Sequence, residues 1–178
     1  MSGGKKNGRG IQTWPDGSKY VGEWKHGMCH GRGEFWHANG DHFEGQFKND
    51  KAHGHGIYTN KNGSVYEGDW VEDQQDGDGK ETLADGSVYE GQFKNGKKEG
   101  EGMFKWADGS SFEGDWGKNM MNGEGTYKWP DGRKYVGAFK NNKMHGEGVY
   151  DWGDGKRYEG EYRNDKKMAM VSTLGLME

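Results

Sequence analysis

Residues 66–70 read YEGDW, and close copies of this pentapeptide recur along the chain. YVGEW stands at 20–24, FEGQF at 43–47, YEGQF at 89–93, FEGDW at 112–116, YVGAF at 135–139 and YEGEY at 158–162. Every interval is 23 residues, with no insertion. A fixed period of that size marks an array of stacked repeats, each unable to bury its apolar face alone. Aromatic, glycine and aromatic at alternate positions follow the two-residue period of a strand, which sets all three on one face.

One full repeat, 20–42, reads YVGEWKHGMCHGRGEFWHANGDH. Tyr20, Gly22 and Trp24 share a face, and Val21, Glu23 and Lys25 take the other. HGMCHG at 26–31 supplies turn residues, and GRGEFWH at 31–37 alternates again. Asn39-Gly40 is the dipeptide that tight hairpin turns favour most. Its equivalents are Asp16-Gly17, Asn62-Gly63, Asp85-Gly86, Asp108-Gly109, Asp131-Gly132 and Asp154-Gly155. Each repeat is therefore expected to be a β-hairpin with its tight turn at these pairs. No stretch has helical spacing of apolar residues.

Stacking the repeats in phase sorts the rings into columns. Tyr20, Phe43, Tyr66, Tyr89, Phe112, Tyr135 and Tyr158 form one, and Trp24, Phe47, Trp70, Phe93, Trp116, Phe139 and Tyr162 a second. Phe35, Tyr58, Phe104, Tyr127 and Tyr150 form a third, and Trp14, Trp106, Trp129 and Trp152 a fourth. All four can lie on one face of a single antiparallel sheet, with Glu, Gln, Asp and Lys on the other. Leu, Ile and Val number only 3, 2 and 7, too few for an ordinary core; 8 Trp, 9 Tyr and 7 Phe supply one instead. Glycine pairs at 8/10, 31/33, 54/56, 77/79, 100/102, 123/125 and 146/148 keep the same period. A glycine in a strand bares a patch of backbone, and a neighbouring ring can lie over it.

The pentapeptide is typically followed by a turn, a GxG pair, an aromatic and Asp-Gly, as in YEGQFKNGKKEGEGMFKWADG at 89–109. This pattern resembles the MORN (membrane occupation and recognition nexus) repeats over about residues 8–165. The resemblance implies an elongated, single-layer antiparallel sheet of consecutive 23-residue hairpins. The expected organisation is a flexible leader over 1–7, an array over 8–165 (a half repeat plus seven repeats) and a C-terminal cap or tail over 166–178. Two departures stand out. Lys80 to Leu83 replace the usual aromatic second strand, where the packing face should be thinnest. Ala169 and Val171 occupy the next glycine positions, so 168–173 is expected to form a capping strand or to dock over Tyr158 and Tyr162, leaving 174–178 free to meet a partner.

The remaining chemistry is sparse. No phosphate-cradling motif occurs, and the acidic run at 73–81 lacks the spacing of a calcium loop. Histidines 30, 37, 42, 53 and 55 cluster in the first two repeats, where equivalent positions lie too far apart to share a metal directly, and are read as turn and surface residues. Cys29 has no partner base at a fixed spacing and cannot form an internal disulfide. No catalytic, cofactor or metal residue is assigned, and an enzyme is not expected. A net charge of −4 gives no preference for nucleic acid. No 18-residue apolar run or apolar signal region is present, so a cytoplasmic protein is expected.

Two surfaces are candidates for binding. A single-layer sheet has nothing to cover its apolar face. The candidate partner face is Tyr20, Trp24, Phe43, Phe47, Tyr66, Trp70, Tyr89, Phe93, Trp106, Phe112, Trp116, Trp129, Tyr135, Phe139, Trp152, Tyr158 and Tyr162. Rings that only pack on one another and on glycine are the plainer reading of the same residues. The second surface is a lysine edge near the turns, including Lys48, Lys51, Lys94, Lys97, Lys98, Lys140 and Lys143, which suits an anionic partner or is simply solvated. By resemblance, short proteins of this repeat are scaffolds of cytoskeletal assemblies such as ciliary axonemes and radial spoke heads, with other proteins or another MORN protein as partners. The alternative is a peripheral membrane module that binds anionic phospholipid through the lysine edge, with weak binding expected.

Overall fold

The computed structural model describes residues 4–168. All regular structure in it is β, and the chain divides into two compact units, 1–97 and 98–178. The first holds β1 (Gly8–Thr13), β2 (Lys19–Lys25), β3 (Met28–Trp36), β4 (His42–Lys48), β5 (Lys51–Thr59), β6 (Val65–Val71), β7 (Gln74–Thr82) and β8 (Val88–Lys94). The second holds β9 (Lys97–Lys105) beyond its first residue, β10 (Ser111–Gly117), β11 (Met120–Lys128), β12 (Lys134–Lys140), β13 (Lys143–Asp151), β14 (Arg157–Arg163) and β15 (Lys166–Lys167). Within each unit every strand pairs antiparallel with its neighbours in sequence, the open sheet of consecutive hairpins that the period implies.

The register lines glycine up with glycine on every strand from β1 to β14. In the first unit Gly10, Gly22, Gly33, Gly45, Gly56, Gly68, Gly79 and Gly91 face one another in turn. Gly102, Gly114, Gly125, Gly137, Gly148 and Gly160 do so in the second. Rings lie across this bare row. A Cβ on Gly33 would fall 2.4–2.6 Å from atoms of the Tyr20 ring, and one on Gly125 2.4 Å from Phe112.

The two glycines of each pair do different things. Gly22 faces Gly33, yet Trp24 faces Cys29, so three residues, 30–32, bulge against Glu23 alone. Gly31 sits in the bulge at φ +75°, a conformation that costs a side chain energy. The same shift recurs in the hairpins β4–β5, β6–β7, β10–β11 and β12–β13. The side chain opposite the bulge accepts its exposed N–H: His55 N donates to Gln46 Oε1 at 2.9 Å and Glu124 N to Asp115 Oδ2 at 3.0 Å. Residues placed by alternation on the solvent face thus also hold the backbone.

The turns differ from expectation. The two-residue turns with both central residues left-handed lie at His26-Gly27 (φ 52° and 81°) and at Asn141-Asn142 (φ 50° and 69°), with equivalents in each repeat. This is the backbone of a type I′ hairpin. Asn39-Gly40 belongs to a wider loop, in which Gly40 N donates to His37 O and His37 N to Asp41 O. Only its glycine is left-handed, at φ +98°. HGMCHG accordingly turns at two residues, and β3 begins at Met28. The turn residue also reaches the previous repeat: Asp50 Oδ1 accepts Cys29 N at 2.7 Å and Asn142 Oδ1 accepts Met121 N at 2.9 Å.

At the chain ends, Gly27 N donates to Lys6 O, and Met168 N donates to Glu161 O at 2.9 Å. The expected cap or tail lies outside the described residues from 169 onward.

Candidate partner-binding face

The aromatic face carries two rows of rings with different exposure. The inner row contains the first two sequence columns and is closed. Tyr20, Tyr89, Phe112 and Tyr135 are 0% exposed, and the other rings of the two columns are buried too, apart from the half-buried Tyr158. Tyr20, Phe43, Tyr66, Phe112 and Tyr135 each stand edge-on to two neighbours. Tyr20 meets Trp24 and Phe47, both at 5.1 Å; Phe112 meets Trp116 at 5.4 Å and Phe139 at 4.9 Å. Such edge contacts add about 0.5–1.5 kcal/mol each beyond area burial. Polar ends of several buried rings find backbone, Trp24 Nε1 donating to Gly10 O at 3.2 Å and Trp116 Nε1 to Gly102 O at 3.0 Å, whereas the buried Tyr162 hydroxyl has no partner among the described residues.

The outer row is half open. In the second unit, Phe104, Trp106, Tyr127, Trp129, Tyr150 and Trp152 follow one another at 4.6–5.4 Å, with planes tilted by 35–53°. Phe104 and Tyr150 are buried; the three tryptophans and Tyr127 are only half-buried. Cations cover part of this row, Arg133 at 5.3 Å over Trp129 and Lys167 at 4.1 Å over Trp152. In the first unit the row runs Trp14, Phe35, His37, Tyr58, with His37 in the column that holds Trp14, Trp106, Trp129 and Trp152 in other repeats. Glu81 and Leu83 then stand where the rings would continue, the thin stretch expected from the sequence.

Between the rows of the first unit lies a groove of about 270 Å³, walled by Phe35, His37, Phe43, Phe47, Tyr58 and Trp70 and ended by Asp50 and Asp73. Its rim is electrostatically fixed. Tyr58 Oη donates to Asp41 Oδ2 at 2.6 Å and Lys61 N to Oδ1 at 2.8 Å, which together hold the Asp41 carboxyl below the usual range. Burial, then the same bond, pushes the Tyr58 phenol up to about 12. Cys29 lies beneath the neighbouring part of the face, where burial and then Asp50 push its thiol up to about 12 and leave it a poor nucleophile.

The structure thus separates the candidate partner residues. Tyr20, Trp24, Phe43, Phe47, Tyr66, Trp70, Tyr89, Phe93, Phe112, Trp116, Tyr135, Phe139 and Tyr162 form the sealed inner row, and Trp106, Trp129 and Trp152 the open one. Of the lysine edge, Lys48 faces Lys51 and Lys140 faces Lys143 across their turns. These four are exposed, as are Lys94 and Lys97, whereas Lys98 is half-buried; Lys51 lies 3.8 Å from Glu72. Sequence reasoning missed Phe35, Tyr58, Tyr127 and His37 as rim residues, although the third column contained three of them. Among the described residues no group of three or more His, Cys, Asp and Glu is placed to hold a metal, and no helix is long and apolar enough to cross a membrane.

The chain is similar in structure to the TCP domain of SAS-4 from Drosophila melanogaster, solved in complex with a proline-rich motif of Ana2. That likeness has 15% identity, covers 86% of this chain and 90% of that one, and has a TM-score of 0.48. The TCP10 domain of CPAP from Danio rerio gives 11% identity, 84% and 70% coverage and a TM-score of 0.49. No curated protein matches. The MORN repeat profile matches residues 1–19, 20–42, 43–65, 66–88, 89–111, 112–132, 135–157 and 158–168, and the chain belongs to the MORN repeat family.

Proposed function

We propose that this chain is a non-catalytic scaffold that holds a segment of another protein along its aromatic face. The observation that carries the reading is the half-open outer row, in which Trp106, Trp129 and Trp152 present ring area over a sealed inner row. A sheet with one layer keeps that area wet unless a partner covers it, and rigid aromatics of this kind anchor protein interfaces. Membership of a repeat family built for elongated surfaces supports a place in a cytoskeletal assembly of the cytoplasm, with ciliary axonemes and their radial spokes the setting we favour. Other assembly proteins, or a further MORN protein, are the partners it would join.

A second reading has its own observation. Lys48 opposite Lys51 and Lys140 opposite Lys143 concentrate positive charge at the turns, which suits anionic phospholipid. Glu72 beside Lys51 and a net charge of −4 weaken it.

Cross-linking in the source cell separates the two. Replacing Trp106 and Trp129 together by alanine should remove the protein partners cross-linked to wild type, and reversing Lys140 and Lys143 to glutamate should not. Partners retained in the tryptophan variant, or vesicle flotation lost only in the lysine variant, would reject the scaffold reading.

A further inference from the structure

We propose that the polar face of the second unit binds an extended acidic peptide along one row of cations, independently of the aromatic face. The strand register assembles this row. Lys105, Ser111, Lys128, Lys134, Asp151 and Arg157 stand opposite one another in succession across β9 to β14. Each neighbours a ring of the aromatic face in sequence, so by strand alternation all six point to the other side. Four are cations, all exposed. The corresponding row of the first unit is Thr13, Lys19, Trp36, His42, Thr59, Val65, Thr82 and Val88, with a single lysine.

Lys128 and Lys134 face each other directly, an arrangement that like charge makes unfavourable. None of Lys105, Lys128, Lys134 and Arg157 has an ion-pair partner among the described residues, whereas Arg133 and Lys156 nearby are each paired with a loop aspartate. Asp151, the one acid in the row, turns Oδ1 to Gly153 N at 2.8 Å. An anion laid along the row would relieve the repulsion.

The surroundings choose between a chain and a bilayer. Four residues further along the strands runs a second row, Glu101, Asp115, Glu124, Ala138, Glu147 and Glu161, with five acids. At strand rise this lies about 13 Å away, close enough that a broad anionic surface would meet both rows at once. A single extended chain can follow the first and avoid the second. Six strands carry the row over roughly 24 Å, the length of about eight extended residues.

Labelled octaglutamate provides the probe, with anisotropy read at low and at moderate salt. Wild type should bind, more weakly as salt rises. The variant Lys128→Glu with Lys134→Glu should bind at least ~10-fold more weakly. Lys140→Glu with Lys143→Glu changes net charge equally at the turn end and should leave binding within about twofold. If the first variant fails to fold, Lys105→Gln with Arg157→Gln replaces it, with a loss of about fivefold expected. Absence of wild-type binding overturns the proposal, as does equal weakening by both reversals. Vesicles of phosphatidylcholine and phosphatidylserine form the second arm. Binding to them, lost on reversal of Lys128 and Lys134 and without binding of octaglutamate, would assign the row to lipid instead.

Discussion

The phenol of Tyr20 occupies the space where a side chain on Gly33 of the neighbouring strand would begin, and its hydroxyl donates to Glu23 O at 2.8 Å. The same relation joins Tyr66 to Gly79 and Tyr135 to Gly148, so one contact repeats along the array. A methyl at Gly33 would collide with a fully buried ring that has nowhere to go. Gly33→Ala should therefore cost at least ~2 kcal/mol in chemical denaturation, at the upper part of the range for overpacking. Gly86 is left-handed at φ +91° but has open space around its Cβ position. Gly86→Ala should cost only the backbone term, ~1–2 kcal/mol. Equal losses would mean that ring contact is not what selects glycine at 33.

Two repeats lack the hydroxyl. Phe43 and Phe112 occupy the tyrosine position, and the Phe112 ring tip falls 3.0 Å from a Cβ built on Gly114, the neighbourhood that Tyr66 Oη occupies at Gly68. Phe112→Tyr should place a donor near Asp115 O, as Tyr135 does for Ala138 O at 2.9 Å. A gain of ~0.5–1.5 kcal/mol is expected from one added hydrogen bond. Unchanged or lower stability, read by thermal unfolding, would show that the phenylalanine sites are packed too tightly for the oxygen.

Much of this architecture was legible because ring and glycine share one period. Alternation alone placed Tyr20, Gly22 and Trp24 together, and the 23-residue spacing brought Gly33 beneath the ring. The turns were harder. Asn39-Gly40 has the composition of a tight turn, yet His26-Gly27 takes that geometry, because two left-handed residues close β2 onto β3 while the loop at Asn39-Gly40 has only its glycine left-handed. Glu23 was read as a solvent-face residue; its role at the bulge depends on a register shift that no hydrophobic pattern encodes. The candidate face was legible as a set of rings. Which of them stay open was not, since Trp24 and Trp129 differ in depth and not in residue type. Lys128 and Lys134 lie six residues apart in sequence and meet only through the hairpin.

Face assignment makes a direct comparison possible between two residues of β10. Trp116 is 6% exposed and donates to Gly102 O, whereas Glu113 is exposed on the polar face. Trp116→Ala should cost ~3–5 kcal/mol, and Glu113→Ala ~0.5 kcal/mol or less. Similar shifts in melting temperature for the two variants would contradict the separation of faces.

Alkaline pH should unfold the array through its buried phenols. Burial pushes Tyr89 and Tyr135 up to about 12 from an ordinary value of 10.0, and both donate their proton to a backbone carbonyl. The sign follows from linkage. Below pH 10.0 the phenols are neutral in both states, and their contribution to stability is fully present. Between pH 10.0 and about 12 the unfolded chain releases protons that the folded one still holds, so each step upward favours unfolding. Asp108, held below its ordinary range chiefly by the Ser110 hydroxyl, works in the opposite direction: its contribution is present above pH 3.8 and is lost on further acidification. Denaturation midpoints should therefore be flat near neutrality and fall from about pH 10 upward, in step with phenolate absorbance. Tyr135→Phe removes one of the linked protons and should make the alkaline fall shallower while leaving the acid limb alone. An alkaline limb of unchanged slope in that variant would mean that the phenol at 135 ionises in the folded sheet as freely as in the unfolded chain.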